Sequence, residues 1–287
     1  MDSEPVRIRN LQPEDIKSAM GLVLSEGWNQ TEKDWGLLIR NTQNVCLAAE
    51  VGGELVATAT AINYSNDVAW VGMVLVNKKY RGRGISKILL NSIFDKLKSC
   101  KSIKLDATPA GRHVYNKVGF ADEYMISRMA NNPHEDFNFD IRGIAPERIQ
   151  EEDITAVIAF DKHLFGADRS QLIRSLINDY PEKSWLIKRG SQISGFALGR
   201  EGNKYHQIGP VSALSAGDAQ ILLAGALKYL SRQSVVIDIL DDKQELAEWL
   251  SSAGFVKQRG FIRMFRKNNP YPGEVSLQYL ISGPEFG

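Results

Sequence analysis

Apolar and polar positions along this chain follow two periods, and the switches between them predict an order of elements. Period-two runs rich in β-branched residues predict strands at Val6–Arg9, Val45–Glu50, Glu54–Tyr64 and Val68–Val76. Gly52-Gly53 and Ser65-Asn66 supply the hairpin turns between the last three. Helical spacing predicts Pro13–Ser25, with proline at its start, and Thr31–Ile39, opened by Thr-x-x-Asp. After Gly84, apolar residues at Ile85, Ile88, Leu89, Ile93 and Leu97 keep a helical period to Lys98. A strand at Ile103–Ala107, a helix at Pro109–Lys117 and a strand at Asp122–Met129 follow. This order predicts a mixed α/β fold with an antiparallel start and one strand–helix–strand crossover.

The second half repeats the first. Gly119-Phe120 and Arg128-Met129 recur as Gly254-Phe255 and Arg263-Met264, at an offset of 135. The same offset pairs Leu105-Asp106 with Leu240-Asp241, Val76 with Val211, and Val6-Arg7 with Ile141-Arg142. So many matches at one offset point to an internal duplication. The polar stretch Asn131–Asp136, with Pro133, reads as the linker, giving units 1–131 and 138–287.

Charge does not mark that boundary. Residues 1–140 carry 17 basic and 17 acidic side chains, and the remainder 18 and 17. The net charge of +1 over 287 residues argues against nucleic acid as a partner. No apolar run approaches a membrane span, and MDSEPVRIRN has no signal core, so a cytoplasmic protein without a membrane partner is expected. Two distant cysteines, Cys46 and Cys100, have no metal-ligand spacing and read as reduced and half-buried; no metal is expected.

The candidate chemistry begins at the end of the Val68–Val76 strand. It runs into Asn77-Lys-Lys-Tyr-Arg81-Gly-Arg-Gly84, and a helix starts directly after. Glycines let backbone N–H groups approach an anion, and a helix N-terminus adds partial positive charge. With Lys78, Lys79, Arg81 and Arg83 close by, this turn suits a pyrophosphate; taken alone it reads rather as a solvated basic turn.

Arg81-Gly82-Arg83-Gly84-Ile85-Ser86 resembles motif A of the GNAT superfamily of acyl-CoA-dependent N-acyltransferases, with serine where the family has glycine or alanine. Downstream, the segment from Asp106 through Tyr115 to Gly119-Phe120 resembles motif B. Together the motifs span roughly Val68–Phe120, in the family order and spacing. The second half resembles the C-terminal GNAT-like domain of tandem acetyltransferases, through the segment from Phe160-Asp161 to Asp168-Arg169, Gly209-Pro210-Val211 and the ending Gly283-Pro284-Glu285.

The resemblance implies two tandem GNAT folds, each a mixed, mostly antiparallel sheet flanked by helices. It implies acetyl-CoA as co-substrate, its pantetheine arm along Val74, Leu75 and Val76 and its pyrophosphate at Arg81–Ser86, with Thr108 and Gly111 nearby. Tyr115 would donate a proton to the departing thiolate, while a small-molecule amine attacks directly in a ternary complex. Glu26, Trp28 and Asn29, in the loop between the first two helices, are candidates for the acceptor pocket. Asp168 and Arg169 are candidates from the second half. At the offset of 135, Arg81 meets Ala216, Arg83 meets Asp218, Gly84 meets Ala219 and Tyr115 meets Leu250, so a degenerate second site is expected. The Val68–Val74 strand carries no Glu, Asp or His, leaving the general base unnamed. A rival from another class is a non-catalytic acyl-CoA sensor.

Overall fold

Thirteen strands form one continuous sheet in this computed structural model, which describes residues 4–131, 137, 139 and 145–287. The first half contributes β1 (Arg7–Asn10), α1 (Ile16–Ser25), α2 (Glu32–Arg40), β2 (Val45–Val51), β3 (Glu54–Tyr64) and β4 (Val68–Val76). It continues with α3 (Ile85–Lys96), β5 (Ser102–Ala107), α4 (Pro109–Asn116) and β6 (Phe120–Asn131). The second half repeats this order: β7 (Glu147–Arg148), α5 (Ile154–Phe165), α6 (Ser170–Asp179), β8 (Ser184–Arg189), β9 (Gln192–Arg200) and β10 (His206–Ala213). Then come α7 (Ala216–Tyr229), β11 (Val235–Leu240), α8 (Gln244–Ser252) and β12 (Phe255–Lys267), followed by a further short strand, β13 (Gln278–Leu280). The expected linker residues 132–136 and the expected strand start at Ile141-Arg142 lie outside the described residues.

Local chemistry accounts for the helix starts. Thr31 and Asp34 close a reciprocal cap on α2: Thr31 N–H donates to Asp34 Oδ2 at 2.7 Å, and Asp34 N–H reaches Thr31 Oγ1 at 3.4 Å. Thr108 caps α4, its hydroxyl accepting from Gly111 N–H at 3.1 Å. Helices α1, α2, α5 and α6 share one core, in which Trp35, Trp70, Phe196 and Phe286 are fully buried. Helix α3 packs on β2, β3 and β4 of the first half. Residues of α7 and α8 fill a separate core in the second.

The strand order is β1-β2-β3-β4-β5-β12-β6-β11-β13-β10-β9-β8-β7. The two halves have therefore exchanged their last long strands: β12 pairs with β5, and β6 pairs with β11. Only β4–β5 and β10–β11 are parallel pairs among the described residues.

Two buried ion pairs lock this exchange, and they explain the repeated Arg-Met. Arg263 on β12 lies opposite Asp106 on β5 and grips it with Nε–Oδ1 at 2.9 Å and Nη2–Oδ2 at 3.0 Å. Arg128 on β6 does the same to Asp238 on β11, both bonds at 2.7 Å. The counterpart of Asp106 is thus Asp238, correcting the offset pairing with Asp241. A shared offset of 135 holds for α4 with α8 and β6 with β12, but α1 and α5 start 138 residues apart and α3 and α7 only 131, because the intervening loops differ in length. Arg263→Met would leave Asp106 buried without its cation. Urea unfolding is expected to show a loss of about 3–5 kcal/mol. A loss below about 1 kcal/mol, the value of a surface pair, would remove the lock.

Candidate functional site

Strands β4 and β5 pair only over Val68–Trp70 with Ser102–Lys104, and then part. The cause lies on the other side of β4. Its register against β3 shifts between Thr58–Leu75 and Thr60–Gly72, a bulge at which Met73 takes φ +49°. Thr58 and Thr60 hold the bulge, their hydroxyls donating to the carbonyls of Met73 at 2.9 Å and Gly72 at 3.1 Å. The rest of β4 turns away, and Val74, Leu75 and Val76 have no partner on β5. A gap opens that an extended, amide-bearing chain can fill by pairing with β4.

The gap runs up to the loop 77–84. Gly82 and Gly84 have φ +80° and +74°, conformations that disfavour other residues, and a side-chain carbon added at either would meet nothing within 4 Å. Gly84 is the N-cap of α3 and offers no side-chain cap, so the first N–H groups of the helix, from Ile85 and Ser86, remain open to an anion. Arg81 and Arg83 are exposed beside it. Arg81 Nη2 meets Glu26 Oε1 at 2.6 Å, and Arg83 Nη2 donates to the Glu4 carbonyl at 3.1 Å. The space is open, the backbone N–H groups are poised and both cations sit at the rim, an arrangement suited to a phosphate group.

At the foot of the gap lies a cavity of about 170 Å³. Its walls include Val74, Thr108, Gly111 and Tyr115 from the first half's β4–α4 region, together with Trp28, Gln30, Arg128 and Arg259. Tyr115 packs edge-on against Phe120 at 6.0 Å, and burial pushes its phenol up to about 12. It is therefore protonated at neutral pH, as a proton donor must be. Asp106 lines the cavity too, but its carboxylate is committed to Arg263. Arg259 has neither a carboxylate nor a hydrogen-bond partner among the described residues and stacks on Phe261 at 5.1 Å.

The remaining wall was missed in the sequence. Pro284 and Glu285 line the cavity, although they lie more than 200 residues from β4. Segment 282–287 is tucked under β4: Trp70 Nε1 donates to the Pro284 carbonyl at 3.0 Å and Tyr64 Oη to the Phe286 carbonyl at 2.7 Å. A side-chain carbon on Gly72 would lie 2.9 Å from Glu285 Cα, so only glycine permits this contact. A glycine inside a strand is itself a signal of close backbone approach.

The other acceptor candidates are placed as follows. Trp28 faces the cavity, while Trp35 is fully buried in the core. Asn29 joins the halves instead of facing that cavity, its Oδ1 accepting from the N–H groups of Lys204 and Tyr205 at 3.0 Å each. Glu26 is occupied by Arg81. Asp168 lines a separate, open depression between α2 and α6 and accepts from Lys162 at 3.2 Å. Arg169 is buried, held by Asp161 at 2.8 and 2.9 Å, and donates to the Gly287 carbonyl at 2.8 Å. Arg169 thus supports segment 282–287 and does not line the cavity.

Among the described residues, the second half offers no equivalent cleft. Its β10–α7 connection has two residues, 214 and 215, where β4–α3 has eight, 77–84. The pairing of Arg81 and Arg83 with Ala216 and Asp218 is corrected accordingly: the phosphate loop is missing by length. The N-cap Ser215 stands where Gly84 stands. Where β10 and β11 part, β13 fills the gap, with Leu280 opposite both Val211 and Ile239. Leu250 on α8 does replace Tyr115 on α4.

Cys46 and Cys100 are free and buried. Among the described residues no group of three or more His, Cys, Asp or Glu is placed to hold a metal ion, and no helix is long and apolar enough to cross a membrane.

Comparison with known proteins finds acetyltransferase matches in both halves. Residues 13–120 match the model of the acetyltransferase (GNAT) family, and residues 157–280 match an acetyltransferase (GNAT) domain model. The holothin acyltransferase of Pseudoalteromonas sp. (strain SANK 73390) is 26% identical over 267 residues, covering 89% of this chain and 88% of that protein. A solved structure from Pyrococcus horikoshii, described as a candidate acetyltransferase, superposes with a TM-score of 0.80 at 22% identity, covering 98% of this chain and 96% of that one. A tandem GNAT protein from the clavulanic acid biosynthesis pathway superposes with a TM-score of 0.64 at 13% identity, covering 92% and 98%.

Proposed function

We propose that this chain, which belongs to the GNAT acyltransferases as a tandem of two domains, transfers an acetyl group from acetyl-CoA to the primary amine of a small molecule. The observation that carries this reading is the continuity of three features. The β4–β5 gap leads from the glycine cradle at the α3 N-terminus into the cavity that holds Tyr115.

In this reading Val74–Val76 pair with the pantetheine arm, and Arg81–Ser86 bind the pyrophosphate through backbone N–H groups and the two arginines. Thr108 and Gly111 shape the wall beside the thioester. The amine attacks directly in a ternary complex, and Tyr115 supplies the proton to the departing sulfur. Trp28 lies on the acceptor side of the cavity. Glu26 acts through Arg81, Asn29 through the joint between the halves, and Arg169 through segment 282–287. Asp168 has no contact with this cavity and enters only as a neighbour of Arg169. The proposed sequence units are 1–131, carrying the cofactor site, and 138–287, carrying none.

One acetyl-CoA per chain is expected by calorimetry, since β13 already fills the second gap. Thiol release with a panel of primary amines tests the transfer. Gly84→Trp is expected to abolish acetyl-CoA binding: the new side chain forces a right-handed backbone at a left-handed position and fills the phosphate cradle. Two cofactors per chain, or normal binding by Gly84→Trp, overturns the assignment.

A further inference from the structure

Glu285 sits in a buried cluster of charges on the cavity wall. Arg200 on β9 is shared by two carboxylates: its Nε lies 3.2 Å from Asp34 Oδ1, and its Nη2 donates to Glu285 Oε1. Asp34, Arg200 and Glu285 are all buried. Two acids share this guanidinium, and Arg259, which lines the same cavity without a carboxylate of its own among the described residues, lies near Glu285 and supplies the second positive charge. The other ion pairs around the cavity are balanced one to one, Asp106 with Arg263 and Arg128 with Asp238.

A second observation points to what this carboxylate serves. Gln30 lines the cavity, is 4% exposed and donates from Nε2 to Glu285 Oε2 at 2.8 Å. That bond fixes the amide orientation and leaves Gln30 Oε1 buried with no partner. An orphan acceptor beside a carboxylate on the cavity wall calls for a ligand that brings N–H donors.

We infer that Glu285, delivered by the second domain, binds the acceptor's ammonium group together with Gln30 Oε1 and acts as the general base of the transfer. This rests on the acetyltransferase reading above and names the group that β4 lacks. Gly72 stands on β4 where the backbone of Glu285 needs room, so the carboxylate arrives from segment 282–287 and not from the strand.

The proton balance is as follows. Glu285 takes one proton from the ammonium, freeing the nitrogen lone pair. That pair forms the C–N bond to the thioester carbon as the C–S bond breaks, and Tyr115 gives its proton to the departing sulfur. The second proton, shed as the amide forms, restores Tyr115. Glu285 returns its own to water.

Burial and the neighbouring Asp34 raise the Glu285 carboxyl above the usual carboxylate range, opposed by Arg200 and Arg128. Arg259 and Tyr64 also interact electrostatically with it, and Asp106 lines the same cavity. A base must be ionised to act, so activity falls as pH drops through this raised value.

Glu285→Gln keeps the shape and hydrogen-bonding capacity and removes the charge. Thiol release with the amine panel is expected to show kcat/KM for the amine lowered by roughly 10²–10⁴-fold at neutral pH, with the acid limb of the pH profile gone. Acetyl-CoA affinity by calorimetry should stay within about twofold, because the cofactor contacts are elsewhere. A kcat/KM within threefold of wild type, or an unshifted acid limb, overturns the inference. Should Glu285→Gln fail to fold, Gln30→Leu decides: a raised amine KM with near-normal kcat supports the subsite, and an unchanged KM overturns it. Wild-type protein that binds acetyl-CoA yet releases thiol with no amine overturns the acetyltransferase reading. Undiminished release by Glu285→Gln overturns the role of Glu285 alone.

Discussion

A chain ending at Asn131 is expected not to fold. In the whole protein β12 lies between β5 and β6, so the strand neighbours of β6 are β12 and β11, both from residues beyond 131. The truncated chain would expose the β5 edge, bury Asp106 without Arg263 and leave Trp70 without Pro284 and Phe286 beneath it. Each is a separate loss: an unpaired strand edge, an uncompensated carboxylate and a cavity in a shared core. Circular dichroism should show no cooperative thermal transition for residues 1–131, while the full chain melts in a single step. A cooperative transition with acetyl-CoA binding in the fragment would mean that β6 can pair directly with β5, and that the exchange is dispensable.

Tyr115→Phe is expected to lower kcat by roughly 10²–10⁴-fold while leaving acetyl-CoA affinity nearly unchanged. The ring and its edge-on contact with Phe120 survive the substitution, so packing is conserved and only the proton is lost. The sign of the pH dependence follows from the raised phenol. With a value of about 12 the group stays protonated through neutral and mildly alkaline solution, so no descending limb there should belong to Tyr115. Single-turnover measurement of thiol release separates chemistry from product departure. An unchanged rate with chemistry limiting would remove Tyr115 from the mechanism.

The sequence was most informative where structure is local. Apolar period and turn residues placed every helix and long strand of the first half to within a few residues, because both act over one or two turns of chain. The cradle was legible for the same reason: two glycines, flanking cations and a helix start lie within ten residues. Partner choice was not legible. β6 and β12 read as the same strand, and nothing in either says which neighbour it takes. Arg128 and Arg263 were visible only as a repeated dipeptide, since their meaning depends on Asp238 and Asp106 across a strand boundary. Glu285 was hidden by distance along the chain. The ending Gly283-Pro284-Glu285 was read only as a family match, and Gly72 in the Val68–Val76 strand, a local trace of the close approach, went unremarked. The uniform offset misled upstream of α4, where loops of different length shift the true equivalences.

The exchanged strands also impose an order on biosynthesis. β5 pairs with a strand made more than 150 residues later, as in Ala107 with Ile262. Contacts so remote carry a large loop-closure cost and slow the search for the native state. During translation β5 and β6 emerge as open, apolar-flanked edges that must wait for nearly the whole chain. On crowded ribosomes, the matching strand of a neighbouring nascent copy presents the same Arg-Met signature. The design that secures a buried carboxylate for the finished site thus leaves its growing chain dependent on how quickly its own second half arrives.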